Sequence, residues 1–290
     1  MRRGSLALLV LVLCLSGCGS GSVGKLMPWR DRRPKVALVL GGGAARSFAH
    51  VGVIRTLEKS KIQIDIVVGT NTGSLIGAIY ADKKSAAELE RIALTLEERD
   101  VFDYNFINPT QGFARGERLE DFLSKRLAAK EIDQLKLPFA AVATDIQNGE
   151  VVVLQSGSIA RAVRASSAIP GIFTPVSYQG KMLVDGGVLY NVPVDIARKM
   201  GADVVIAVDL GAGPKTAQVG TLFENVVQSF YLAARQNTEA KLKQADVVIR
   251  PKVAEAGLLD FSRKKELLTL GAEAAEQALP EIRKKLGVKR

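Results

Sequence analysis

The chain predicts a three-layer α/β/α domain on a mostly parallel central sheet, and three observations predict it. From Lys35 onward, strand-like and helix-like segments alternate. The strand-like segments are largely continuous apolar runs, the pattern of parallel strands covered on both faces. Glycine-rich turns carry the chain from the first two strands into the helices that follow, as in doubly wound folds. At 290 residues, with 47% hydrophobic and 24% charged, the chain has a globular composition and the length for one sizeable domain.

Each element follows from local pattern. Val36-Ala37-Leu38-Val39-Leu40 reads as a buried strand, and 48–60 has helical spacing, with Val51, Ile54 and Leu57 on one face. Ile64 to Val68 is a second, β-branched strand, followed by a helix to about Ala81. The helical stretch 85–98 opens on Ser85 with Glu88 three residues on, a capping box. The region 101–135 is irregular, with one amphipathic helix near 119–127, and 103–116 is the candidate lid. A buried strand over 139–144 pairs with 151–154, and a helix over 158–167 stops at Ile169-Pro170-Gly171. Met182 to Val184, a helix over 194–200, a strand over 204–208, a long helix over 222–243, a strand over 247–249 and a closing helix over 263–285 complete the domain.

The first residues belong to targeting rather than to the fold. Arg2 and Arg3 precede an apolar run, Leu6 to Leu13, that is too short to span a bilayer. Leu15-Ser16-Gly17-Cys18 then matches a lipobox, so 1–18 is read as a lipoprotein signal peptide with Cys18 as the lipidation site. Gly19 to Pro34 reads as a tether and 35–290 as the domain. Acyl chains contribute about 0.8 kcal/mol per buried methylene, so a lipidated Cys18 would anchor the protein stably. Gly19 after the cysteine points to the periplasmic face of an outer membrane. The formal net charge of +10 gathers partly at Arg30, Arg32, Arg33 and Lys35 and at the C-terminal end, which suits an anionic membrane surface or simple solvation.

Composition also excludes chemistry. The only other cysteine, Cys14, leaves with the signal peptide, so no disulfide or cysteine metal site is expected. With a single histidine, His50, an imidazole-built metal centre is excluded, and neither metal nor cofactor is expected. Aromatics at 6% are too sparse for base stacking, so nucleic acid is not an expected partner.

Three motifs carry the chemistry. Gly41-Gly42-Gly43-Ala44-Ala45-Arg46 follows the first strand; such a turn could hold a dinucleotide phosphate or form an oxyanion hole from backbone N–H groups. Gly69-Thr70-Asn71-Thr72-Gly73 has the form of the G-x-S-x-G nucleophile elbow with asparagine at the centre. Asp185-Gly186-Gly187 sits at a strand end, where glycines let the carboxylate turn toward the elbow. In this order, with Ala165 to Pro170, Phe173 to Val176 and Asn191-Val192-Pro193, the motifs resemble the patatin-like phospholipase family over about 35–270.

That resemblance implies a Ser-Asp dyad without catalytic histidine, acting on lipid or lysophospholipid acyl esters. It implies oxyanion donors at Gly42, Gly43 and Ala44, a steadying role for Arg46, structural glycines at Gly69, Gly73, Gly186 and Gly187, a general base at Asp185, and a nucleophile position occupied by Asn71. Ala44 and Ser47 stand where glycine is frequent, with small expected effect. A carboxamide cannot serve as an alkoxide nucleophile. Three readings stay open: a scaffold that keeps the pocket without the chemistry, catalytic or purely lipid-binding in origin; a hydrolase using an Asp185-activated water or one of the hydroxyls of Thr70, Thr72 and Ser74; and an isolated replacement in an otherwise active enzyme. His50 is expected to pack or hydrogen-bond rather than to react.

Overall fold

A computed structural model describes residues 32–103, 112–211 and 222–288. The proposed signal peptide, Cys18 and most of the tether lie outside the described residues, as does 104–111 of the candidate lid. The elements in chain order are β1 (Val36–Leu40), α1 (Phe48–Lys59), β2 (Ile66–Thr70), α2 (Thr72–Lys83), α3 (Ala86–Thr95), α4 (Glu98–Val101), α5 (Glu117–Arg126), β3 (Phe139–Asp145), β4 (Glu150–Leu154), α6 (Ile159–Ser166), β5 (Val176–Tyr178), β6 (Lys181–Asp185), α7 (Val194–Lys199), β7 (Val204–Val208), α8 (Leu222–Leu242), β8 (Val247–Ile249) and α9 (Lys264–Leu286).

The strands form one sheet in the order β5-β6-β3-β2-β1-β7-β8, with β4 also paired to β3. β3, β2, β1, β7 and β8 run parallel, whereas β4, β6 and β5 are antiparallel additions. Successive side chains of a strand face opposite ways, and the burial divides accordingly. Leu38, Leu40, Val67 and Ala141 join one apolar cluster with residues of α1, α2, α3, α5, α6 and α9. Ala37, Val39, Val68 and Ala140 join a second, with Val194, Ile196 and Ala197 of α7 and Leu242 of α8. Helices therefore cover both faces, which accounts for the unbroken apolar strands and gives the three layers the sequence predicts.

Three local expectations change. β2 begins at Ile66 rather than residue 64 and runs two residues further, into the elbow, because Gly69 and Thr70 remain in register with Ala141 and Val142 of β3. The helix predicted over 85–98 divides at Leu96, whose extended backbone precedes a new capping box between Glu97 and Asp100. The box at its start is half-formed, with Ser85 Oγ accepting the Glu88 N–H at 3.3 Å. β5 is additional, a short strand drawn onto β6.

One feature of the register matters most for function. β4 pairs with 141–145 of β3, so the opposite edge of β3 must serve both other partners. β2 occupies that edge up to Thr70↔Val142, and β6 takes it over from Ala143↔Asp185. The end of β6 is thereby delivered beside the end of β2.

Candidate active site

The elbow is closed by contacts that leave no room for side chains at its glycines. A Cβ on Gly73 would lie 2.3 Å from the carbonyl oxygen of Leu40 and 2.6 Å from that of Gly41, and one on Gly69 would meet the Ser74 backbone at 2.5 Å. Asn71 between them takes φ 54° and ψ −133°. Such a conformation strains a residue with a side chain by about 1–3 kcal/mol and survives only where its surroundings over-determine it. Here the Asn71 N–H donates to the carbonyl of Ser166 at 3.1 Å and to Ser166 Oγ at 3.0 Å, while that hydroxyl donates to the Val142 carbonyl at 2.6 Å. Asn71 is 4% exposed.

Both ends of the Asn71 carboxamide are hydrogen-bonded. Its Nδ2 donates to Asp185 Oδ2 in a short contact. Its Oδ1 accepts the Thr72 N–H at 2.6 Å and the Thr72 hydroxyl at 3.0 Å. Since the Thr72 proton is committed there, the Ser47 hydroxyl is the donor in the Ser47–Thr72 contact. The other neighbouring hydroxyls are bonded away from the base: Thr70 Oγ1 donates to the Tyr190 carbonyl at 3.1 Å, and Ser74 Oγ to the Asn71 carbonyl at 2.6 Å.

Asp185 comes to the site unstrained, at the end of β6. Its Oδ1 accepts the Gly187 N–H at 2.7 Å and its Oδ2 the Asn71 carboxamide. Gly186 lets the chain turn close over β3, where a Cβ would lie 2.2 Å from the Val142 carbonyl oxygen. Gly187 is less confined, its nearest neighbour being Asp185 Oδ1 at 3.1 Å from a built Cβ. Burial pushes the Asp185 carboxyl up to about 7, against the opposing pull of the Gly187 and Asn71 donors. A carboxyl near 7 can hold or release a proton at neutral pH, as a general base must.

The glycine loop faces the elbow from the other side. A Cβ on Gly42 would lie 2.8 Å from both Asn71 Cβ and Asn191 Oδ1. The Gly42 N–H, expected as an oxyanion donor, donates to Asn191 Oδ1 at 3.1 Å. The N–H groups of Gly43 and Ala44 have no acceptor among the described residues, so two of the three expected donors remain available to an anion. Ala44 takes φ 49°. Its departure from glycine is therefore less innocuous than the sequence suggests, because a Cβ in the left-handed region costs roughly 1–2 kcal/mol. Arg46 is buried and clamps the loop to the segment before α9, donating from Nε to the Ala256 carbonyl at 2.9 Å and from Nη2 to that of Ala254 at 3.2 Å. The Ala45 N–H adds a bond to the Leu258 carbonyl at 2.9 Å.

His50 lies in α1 with its Nε2 2.8 Å from the Gly41 carbonyl, which can only accept, so Nε2 carries the proton. Complete burial brings its pKa down to about 4 despite that bond, and the ring is neutral at physiological pH.

Two pockets meet at Asn71. The larger is a cleft of about 620 Å³, counting the space open to solvent at its mouth, and is almost wholly apolar, with Phe48, Leu75, Ile76, Phe102, Phe173 and Phe261 among its walls. The smaller, about 300 Å³, lies on the base side and includes Asp185, Gly187, Asn191 and Phe230. A pocket of the first kind suits a flexible hydrocarbon, and the few convergent polar groups of the second suit the polar remainder of an ester. Next to the larger pocket, the Asp103 carboxylate accepts the N–H groups of Gly116 and Glu117 at 2.6 and 2.8 Å, fixing both ends of the segment read as a lid.

Asn191 and Ser166 belong to this site without having been picked out as site residues. Both lie in motifs visible in the sequence, Asn191-Val192-Pro193 and Ala165 to Pro170. The carbonyls of 254–258 carry no side-chain signature at all. Among the described residues there is no group of histidine, cysteine or carboxylate side chains placed to hold a metal ion.

Comparison with known proteins gives the family and the fold. A family model described as patatin-like phospholipase matches residues 38–198. Patatin-like phospholipase domain-containing protein 6 of Mus musculus is 38% identical over 189 residues, covering 62% of this chain and 14% of that protein. Lysophospholipase nte1 of Aspergillus fumigatus is 31% identical over 278 residues, covering 86% of this chain and 18% of that protein. The chain thus spans less than a fifth of the length of these relatives. Among solved structures, VipD from Legionella pneumophila superposes with a TM-score of 0.58 at 14% identity, covering 86% of this chain and 67% of that one, a likeness of fold.

Proposed function

The chain belongs to the patatin-like phospholipase family, and we propose that it is a membrane-anchored lipid acyl hydrolase scaffold whose ester-cleaving chemistry is impaired at one atom. The observation that carries this reading is the occupant of the elbow. The side chain held toward the base is the Asn71 carboxamide, which presents Nδ2, a donor, to Asp185 Oδ2. The carboxamide has no hydroxyl from which Asp185 could make an alkoxide-type nucleophile, and the neighbouring hydroxyls of Thr70, Thr72 and Ser74 are tied to other acceptors.

The rest of the machinery favours lipid esters as the bound class. The apolar pocket takes the acyl chain, the glycine loop, of which Ala44 lines that pocket, offers its N–H groups to the ester oxygen, and the smaller pocket takes the alcohol portion. Were a hydroxyl to stand at position 71, Asp185 Oδ2 would accept its proton as it attacked the ester carbon. Lysophospholipids are the substrate class suggested by the name of the fungal relative. Anchoring through a lipidated Cys18, with the basic residues after it against anionic headgroups, would hold the domain at the periplasmic face of an outer membrane.

The test is a pair of assays on the full chain in detergent, with a fluorogenic short-chain ester and with lysophospholipid. The unaltered protein should stay at background, and Asn71→Ser should raise turnover by about 10³-fold or more, since removing a serine nucleophile costs about 10⁶. Hydrolysis by the unaltered protein that disappears in Asp185→Ala would overturn the impaired reading in favour of a base-activated water. Silence of Asn71→Ser would mean that the pocket or the glycine loop is also incompetent.

A further inference from the structure

We infer that Asn71 is a self-modifying site: the elbow holds its side chain in position for attack by the Thr72 backbone nitrogen, closing a succinimide and converting the asparagine to aspartate and isoaspartate. The inference concerns the covalent state of the chain and stands whether or not the protein cleaves esters.

Succinimide closure needs the next backbone nitrogen to reach the side-chain Cγ, forming a five-membered ring. Helical and ordinary extended backbones turn the two apart. The Asn71 torsions, φ 54° and ψ −133°, are close to those of the first central residue of a type II′ turn, about +60° and −120°. At that ψ the Cα–Cβ bond nearly eclipses the C–N bond to Thr72, so Cγ and the Thr72 nitrogen lie on the same side. The Thr72 N–H donates to Oδ1 of that same carboxamide at 2.6 Å, a bond that keeps the group beside the nitrogen.

Two further features lower the barrier. Thr72 is the first residue of α2, so its N–H is one of the orphan donors of a helix start and no backbone helix bond has to break. The leaving nitrogen, Nδ2, is the atom bonded to Asp185 Oδ2. An amide nitrogen leaves poorly unless protonated, and Asp185, whose carboxyl titrates near 7, can supply that proton at neutral pH. The step balances as follows. The Thr72 nitrogen bonds to Cγ as its proton passes to Oδ1, the acceptor it already faces. Asp185 protonates Nδ2, the Cγ–Nδ2 bond breaks and ammonia departs. The proton on Oδ1 is released as the carbonyl re-forms and restores Asp185 through solvent. Water, which reaches Asn71 from the pockets on either side, then opens the ring at one or other carbonyl. The product at the α-aspartyl branch places two carboxyl groups together at the site, and such pairs share a proton.

The experiment is peptide mapping of the purified full chain aged at 37 °C and neutral pH, beside the same chain aged in urea. The expected result is a one-dalton gain in the peptide carrying Asn71, scored apart from that carrying the exposed Asn148-Gly149, with isoaspartate accompanying aspartate. It should be about tenfold or more faster in the folded protein, because only there do the elbow torsions hold the nitrogen beside the carboxamide. Asp185→Asn, which cannot donate a carboxyl proton, should slow the gain and flatten its pH dependence near 7; circular dichroism establishes that this variant is folded. An unchanged peptide in the folded chain, or a rate no higher than in urea, overturns the inference. Aspartate without isoaspartate also overturns it, because direct attack by water would give that result.

Discussion

The elbow and the base loop meet at a single hydrogen bond, yet they are made in opposite ways. The elbow is a local object in sequence: its glycines and its strained central residue occupy 69–73, and α2 begins within it at Thr72. The base loop is a product of pairing. Asp185 has an ordinary backbone, φ −47° and ψ 131°, and owes its place to the point at which β6 takes over the edge of β3 that β2 vacates. Strain is stored where the chain must turn sharply, and a strand register does the positioning where it need not. The same contrast appears in the two buried ionisable groups. Burial holds His50, beside the glycine loop, deprotonated, and raises Asp185 toward protonation, so both tend to be neutral and they respond to pH with opposite sign.

The largest expected effect tests whether both objects are closed equally tightly. In Gly73→Ala the new Cβ meets the Leu40 and Gly41 carbonyls, and in Gly186→Ala it meets the Val142 carbonyl. Each should lose about 3 kcal/mol or more in urea denaturation, since overpacking against backbone exceeds the usual 1–3 kcal/mol. Tolerance of Gly186→Ala alone would show that β3 does not fix the base loop and would break the comparison.

The pH response comes next. His50 has a folded pKa of about 4 against an unfolded 6.5, so its contribution to stability is whole above 6.5 and is lost as pH falls toward 4. Asp185 has a folded pKa of about 7 against 3.8, so its contribution is whole below 3.8 and is lost as pH rises through 7. Between those limits the two oppose one another. His50→Gln keeps a nitrogen donor for the Gly41 carbonyl and cannot titrate. Relative to its effect at pH 8, it should gain about 2 kcal/mol of stability at about pH 5, read as the difference between two denaturation series. No change with pH would mean that the ring is charged in the folded protein.

The smallest effect sharpens the account of strain. Ala44 sits at φ 49° in the glycine loop. Ala44→Gly should stabilise the protein by about 0.5 kcal/mol, relief of left-handed strain being partly offset by the greater freedom of glycine in the unfolded chain. A loss of stability would mean that the Ala44 methyl in the wall of the apolar pocket contributes more than its backbone costs.

Much of this molecule is legible in its residues, for reasons that stay within a few positions of each other. Unbroken apolar runs such as Val36–Leu40 announce strands covered on both faces, and the spacing in α1 announces a helix. The elbow can be read because its glycine spacing is written within five residues, Gly69 being confined by Ser74 close by, and the family follows from the order of such motifs. The Leu40 and Gly41 carbonyls that confine Gly73 are supplied by the fold. Misreadings fall where distant partners decide. β2 extends to Thr70 because β3 continues to pair with it, Gly42 gives its N–H to Asn191, 149 residues away, and Arg46 finds the carbonyls of Ala254 and Ala256.

What the sequence determined by itself was the layered fold and an asparagine at the apex of a nucleophile elbow. What only the tertiary structure decided was the company that asparagine keeps: the Asp185 carboxyl on its nitrogen, the Thr72 nitrogen against its oxygen, and a pocket on each side. The physical reason is range. Backbone sterics and hydrophobic periodicity act between neighbours and are written in order along the chain, whereas burial, protonation and a shared strand edge exist only once distant segments have been brought together.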